Sequence, residues 1–170
     1  DAERLSAEDE PSHREPITYE APYLDNLPTA PREKFAANIA AIQKLKEIEQ
    51  RVANGGSPAF EDEQKILAQY TGWGGLSDAF DPNKSAWSNE YSQLKAALSE
   101  SEYEAARSST LTAFYTPATV IHPIYRALER FGVKGGKSLE PSMGTGAFLA
   151  HGHFGSSDAK FYGVELDGIT

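Results

Sequence analysis

Ser138-Leu139-Glu140-Pro141-Ser142-Met143-Gly144-Thr145-Gly146-Ala147-Phe148-Leu149 is the stretch that decides how this chain folds. A short apolar strand ends in a carboxylate, Glu140. Pro141 then forces a turn, because its ring fixes φ and removes a backbone donor. Gly144-Thr145-Gly146 lets the backbone pass close to a ligand, and Ala147-Phe148-Leu149 opens an apolar helix. A second strand, Phe161-Tyr162-Gly163-Val164, leads to Glu165, twenty-one residues after Gly144, and then to Asp167. A glycine turn after one strand and an acid at the tip of the next is how an α/β sheet grips a nucleoside.

The details of the turn narrow the ligand. The dinucleotide fingerprint would need a third glycine where Leu149 stands, and its strand runs straight into the first glycine without an intervening Glu-Pro-Ser-Met. A phosphate-cradling P-loop is excluded, since no Gly-Lys-Ser/Thr follows. A nucleoside without phosphates suits the turn better. Glu140 at a strand end is costly to bury unless it accepts from backbone amides or meets a cationic ligand. Glu165 is the better placed acid for both ribose hydroxyls, because it comes first after the apolar run. Side-chain alternation puts Asp167 on the same side if the strand extends that far. An isolated Gly-Val-Glu-Leu-Asp is more often a solvated strand end, so it is the loop upstream that gives this one a role.

Upstream, Thr116-Pro117 reads as an N-cap followed by proline at the first helical position. Val120, Ile121, Ile124, Tyr125, Leu128 and Phe131 then make an amphipathic helix that Gly132 ends. A helix start offers free amides to a carboxylate, and Tyr115 beside it is placed to pack on a ligand's edge.

Further out, the pattern is helical. Phe35, Ile39, Ile42, Leu45, Ile48 and Val52 recur at spacings of three and four, and Asn54-Gly55-Gly56 stops the stripe. Ser57-Pro58 looks like a new helix start running to about Tyr70. Ser88 or Asn89 caps a helix through Leu98, and Ser99 caps another to about Ser108 with Tyr103 facing inward. Thr71-Gly72-Trp73-Gly74-Gly75-Leu76 reads as a core tryptophan whose neighbours must be small; a nucleobase platform is the alternative. Residues 1–31 combine acids with five prolines and read as an acidic arm or linker, on which Ile17, Tyr19, Tyr23 and Leu24 are the residues able to dock. The expected organisation is therefore an arm over 1–31, a helical region over 32–110, and the opening of an α/β domain over 111–170.

Composition bounds the classes of function. The 170 residues carry a net charge of −9 and no cysteine, which excludes a disulfide framework and thiolate zinc sites and fits a reducing cytoplasm. Residues 1–30 hold eight acidic and two basic side chains, a net of −6, whereas 111–170 hold five of each. No basic stripe marks a nucleic-acid footprint, so any grip on DNA is expected to lie mainly elsewhere. No apolar run reaches the length of a membrane span. Of His13, His122, His151 and His153, only His151-Gly-His153 has close spacing, and that pair reads as solvated loop residues.

Three elements, in this order and spacing, resemble the N6-adenine DNA methyltransferases. Tyr115-Thr116-Pro117 is similar to that family's motif X, Leu139 through Phe148 to motif I, and Gly163-Val164-Glu165-Leu166-Asp167 to motif II. More closely, Tyr70-Thr-Gly-Trp-Gly-Gly-Leu, the run from Glu102 to Pro117, and Leu139-Glu-Pro-Ser-Met-Gly-Thr-Gly-Ala-Phe resemble the methylase region of very large phage and mobile-element methyltransferase–helicase proteins, some with antirestriction roles. The resemblance covers about residues 60–168.

The resemblance implies S-adenosylmethionine as cofactor and a Rossmann-like methyltransferase sheet, truncated here and preceded by a helical region. Glu140, Pro141, Ser142 and the amides around Gly144, Thr145 and Gly146 would hold the methionine portion. Thr116, with Tyr115 and Pro117, would meet its amino-acid end, Glu165 the ribose hydroxyls and Leu166 the adenine, with Phe148 packed beneath the loop. It also implies a parent enzyme that methylates DNA at adenine N6, with a helicase region C-terminal to the methylase. The family's catalytic Asn/Asp/Ser-Pro-Pro-Tyr/Phe motif has no counterpart among these residues and is expected beyond residue 170, so no catalytic residue is assigned and this chain alone is expected to be inactive. Two alternatives stand beside it: a methyltransferase acting on RNA or protein, and a non-catalytic interaction module of an antirestriction complex.

Overall fold

A computed structural model describes residues 26–152, 159–165 and 167–170. The arm, apart from its last few residues, lies outside these, as do His13, His153 and Leu166. Among the described residues six α-helices and two strands follow in order, with short 3-10 turns at Ser77–Phe80 and Ser85–Trp87: α1 (Pro31–Ala53), α2 (Glu61–Leu67), α3 (Ser88–Ala97), α4 (Glu100–Ser109), α5 (Ala118–Arg130), β1 (Lys137–Glu140), α6 (Ala147–His151) and β2 (Lys160–Gly163).

The helical unit forms where the periodicity places it. In α1, Phe35, Ile39, Ile42 and Ile48 are buried, while Val52 at the end of the stripe is exposed. The helix ends in a Schellman arrangement: Gly55 N–H donates to Val52 O and Gly56 N–H to Arg51 O, with Gly55 left-handed at φ 79°. The second helix begins three residues later than Ser57-Pro58 predicts. The Arg51 guanidinium takes the Ser57 and Pro58 carbonyls at 3.0 and 3.1 Å, holding that segment outside the helix. Glu63 instead receives the Phe60 N–H at 2.9 Å and starts α2 there. By contrast, Ser99 caps α4 as expected, its hydroxyl accepting from Glu102 N–H while Glu102 accepts from Ser99 N–H.

Trp73 is the centre of the core. It is 1% exposed, with Phe80, Phe35 and Tyr70 edge-on to it at centroid distances of 5.3, 6.0 and 6.4 Å. Each such pair adds about 1 kcal/mol beyond the area it buries.

The helix α5 starts one residue later than expected: Pro117, extended at ψ 154°, is its N-cap, and Thr116 lies before it. Pro123 inside the helix lacks the N–H that would reach the Thr119 carbonyl. Of the apolar stripe on α5, Ile121 is fully buried, but Val120, Ile124 and Phe131 are exposed. The described sheet is too small to cover that face: β1 and β2 pair in parallel, Lys137 opposite Lys160 and Glu140 opposite Gly163. Parallel strands need a crossover between them, and α6 supplies its helical part. A doubly wound sheet is not displayed by these residues. No described helix is long and apolar enough to cross a membrane.

Candidate functional site

The ladder between the strands continues into the glycine loop. Val164 N–H donates to Glu140 O and Met143 N–H to Val164 O, both at 2.9 Å. The Met143 side chain folds over Gly163, where a Cβ would collide with its sulfur. Gly144 and Gly146 take left-handed conformations, φ 55° and 79°, and Gly146 caps α6. The loop's fourth contact is its most informative: the Gly144 N–H donates to Glu165 Oε2 at 2.7 Å. The acid at the tip of β2 and the turn after β1 are thus brought together at the carboxyl ends of the strands, where open α/β sheets place ligands.

Glu165 turns back rather than continuing the strand. Its Oε1 accepts the Asp167 N–H at 3.0 Å, so Glu165 and Asp167 do not alternate as a strand pair. Asp167 in turn accepts from Ile169 N–H and the Thr170 hydroxyl, both at 3.0 Å, and the Thr170 and Tyr115 hydroxyls lie 3.1 Å apart. Burial raises the Tyr115 pKa, with the Asp167 and Glu165 charges adding to it and the Thr170 hydrogen bond opposing.

Tyr115 is held by two glycines. A Cβ on Gly72 or on Gly144 would come within 2.9 Å of its ring. The ring therefore occupies space that only glycine leaves open, between the tryptophan turn of the helical unit and the glycine loop.

Two cavities share Tyr115 and Phe114 as a common wall. The first, about 560 Å³, is lined by Lys34, Thr71, Thr116, Pro117, Thr119, Thr145 and His151, among others. Lys34 donates to Gly74 O at 2.8 Å, and burial lowers its pKa. The second, about 410 Å³, is lined by Ser142, Gly144, Glu165, Asp167 and Thr170 on one side and by Ala105, Ser108 and Ser109 of α4 on the other. A larger open groove, about 730 Å³, lies on the helical unit around Tyr91, Lys95 and Tyr103 and touches none of the loop.

The sequence-derived residues therefore divide. Tyr115, Thr116, Pro117 and Thr145 line the first cavity; Tyr115, Ser142, Gly144 and Glu165 line the second. Glu140, Pro141, Gly146 and Phe148 line neither. The Glu140 carboxylate receives the Ser142 N–H at a long 3.4 Å, and the Phe148 carbonyl receives the Tyr125 hydroxyl at 2.7 Å. Leu166 lies outside the described residues. His151 is not a solvated loop residue: it ends α6, is 7% exposed, and its Nδ1 lies 3.1 Å from His122 Nε2. Lys34, Thr71 and the α4 serines were not legible as site residues, because helix periodicity alone assigns Lys34 and the serines to solvated positions. Among the described residues no group of three or more His, Cys, Asp or Glu is arranged to hold a metal.

No family model matches the chain, and no solved structure matches it. It is 28% identical over 137 residues to the Defense against restriction protein B of Escherichia phage P1. The match takes in 81% of this chain and 4% of that protein, so the chain spans a small part of the relative's length. The likeness carries the antirestriction half of the resemblance seen in the sequence; a methyltransferase is not part of it.

Proposed function

We propose that this chain is the cofactor-binding module of an antirestriction protein and that its ligand is S-adenosylmethionine. The observation that carries this is the opposite polarity of the two cavities flanking Tyr115. One holds a cation, Lys34, beside the start of the thirteen-residue α5; the other holds two carboxylates, Glu165 and Asp167. A molecule with an amino-acid carboxylate at one end and a ribose diol at the other matches that division. The Gly144 and Asp167 N–H groups fix the Glu165 carboxylate where it lines the second cavity, and a carboxylate accepts hydroxyl donors such as those of a ribose. The cavity volumes fall in the range of small-molecule sites.

In this assignment Lys34, Thr116 and Thr145 hold the amino-acid end, and Glu165, fixed by Gly144, the ribose. The cofactor supplies an electrophilic methyl group. The parent would pass it to adenine N6 in DNA, using parts of the protein other than these residues for chemistry and most of the DNA grip.

Calorimetric titration of S-adenosylmethionine and of S-adenosylhomocysteine into the chain tests the assignment. Saturable binding, weakened at least about tenfold by Glu165→Ala, is expected from loss of charge-assisted hydrogen bonds. Absence of binding by both nucleosides overturns it.

The likeness to Defense against restriction protein B favours a second function: a non-catalytic module of an antirestriction complex. The two separate in the parent protein. Loss of protection from restriction in Glu165→Ala fits a working cofactor site, and full protection in that variant fits the interaction module.

A further inference from the structure

We infer that His122 and His151 form a binding site for a divalent transition-metal ion of the zinc, nickel or copper class. The pair is invisible in the sequence, because its members lie 29 residues apart on different helices. His122 is exposed on α5 and His151 is buried at the end of α6, with His122 Nε2 and His151 Nδ1 3.1 Å apart.

The nitrogen separation fits two ligands of one ion as well as a bent hydrogen bond. The centroids are 4.9 Å apart and the planes are 82° to one another. With an imidazole nitrogen about 1.2 Å from its ring centroid, a straight N–H···N bond of this length would put the centroids about 5.5 Å apart. Two ring nitrogens pointing at one ion through bonds of about 2.1 Å, with the same nitrogen separation, put them about 4.9 Å apart. The ligand–ion–ligand angle this implies is on the order of 100°, an ordinary edge of tetrahedral or octahedral coordination.

No further His, Cys, Asp or Glu completes a cluster among the described residues. Imidazole donors select zinc, nickel and copper over magnesium and calcium, which prefer oxygen. The ion would tie α5 to α6, the helix that follows the glycine loop, beside the cavity that His151 lines. The site stands whether or not S-adenosylmethionine binds.

Calorimetric titration of zinc, nickel and magnesium chlorides into the whole chain at neutral pH tests it, together with the electron paramagnetic resonance spectrum of the copper(II) form. One ion per chain is expected for zinc and nickel and none for magnesium, with two-nitrogen coupling in the copper spectrum. His122→Ala, at an exposed position, should weaken zinc at least about tenfold with an unchanged circular dichroism spectrum. His151→Asn should do the same; if that variant unfolds, His122→Ala decides. No saturable zinc binding, or binding unaltered in His122→Ala, which would place the ion on other histidines, overturns the site.

Discussion

Gly74 lies backbone to backbone against Ala113: its N–H donates to the Ala113 carbonyl at 3.1 Å, and a Cβ there would collide with that oxygen. Next to it, Gly75 N–H donates to Thr110 O at 2.9 Å. The glycines around Trp73 thus form a socket for the segment that carries Phe114 and Tyr115 to the candidate site. Gly74→Ala should destabilise the chain by about 2 kcal/mol, because the two backbones must separate. Urea denaturation followed by tryptophan fluorescence checks this.

Asn38 makes the same socket depend on α1. Fully buried, it donates from Nδ2 to Gly72 O at 2.7 Å and accepts the Thr71 N–H at 2.8 Å. Asn38→Ala would leave both backbone groups buried without partners, at a cost of about 3 kcal/mol. Asn38→Asp keeps the acceptor for Thr71 but sets a buried carboxylate oxygen against the Gly72 carbonyl, so it should cost at least as much as Asn38→Ala. Denaturation midpoints rank the three proteins.

The carboxyl of Glu63 has its pKa lowered to about 2 by the Arg51 guanidinium, which it meets at 2.5 and 2.7 Å, and by the Phe60 N–H. A depressed carboxyl pKa contributes stability that is present above the ordinary carboxylate value and is lost as pH falls through the folded value. The gap in urea midpoint between the native chain and Glu63→Gln should therefore be full near neutrality. It should narrow between pH values of about 4.5 and about 2. A gap that stays constant across that window refutes the assignment.

Substitutions at Tyr115 and Gly144 separate ring from hydroxyl. Tyr115→Phe keeps the ring between Gly72 and Gly144 and loses only the Thr170 contact, so stability should fall by about 1 kcal/mol. Gly144→Ala forces a side chain into a left-handed position and against that ring. It should weaken S-adenosylmethionine at least about tenfold through the displaced loop. Calorimetry on both variants distinguishes the effects.

Much of the local structure was legible because it is written in short-range chemistry. Apolar spacing gave α1 and α5, Ser99 gave the start of α4, and the Glu-Pro turn marked the end of β1. Short-range signals also misled where a distant side chain intervened: Arg51 held Ser57-Pro58 out of α2. The candidate site was legible as a list of residues and not as a shape. Its division into two cavities depends on Tyr115 filling the gap between two glycines 72 residues apart in sequence. The His122–His151 pair depends likewise on how α5 and α6 pack, which neither histidine's neighbours encode.

The Phe114 and Tyr115 rings give the two hollows one boundary. The proposed ligand, with one end on each side, would meet that boundary along its length. The Tyr115 ring works as a shared partition, and its seat between Gly72 and Gly144 makes the helical unit part of the loop's own support.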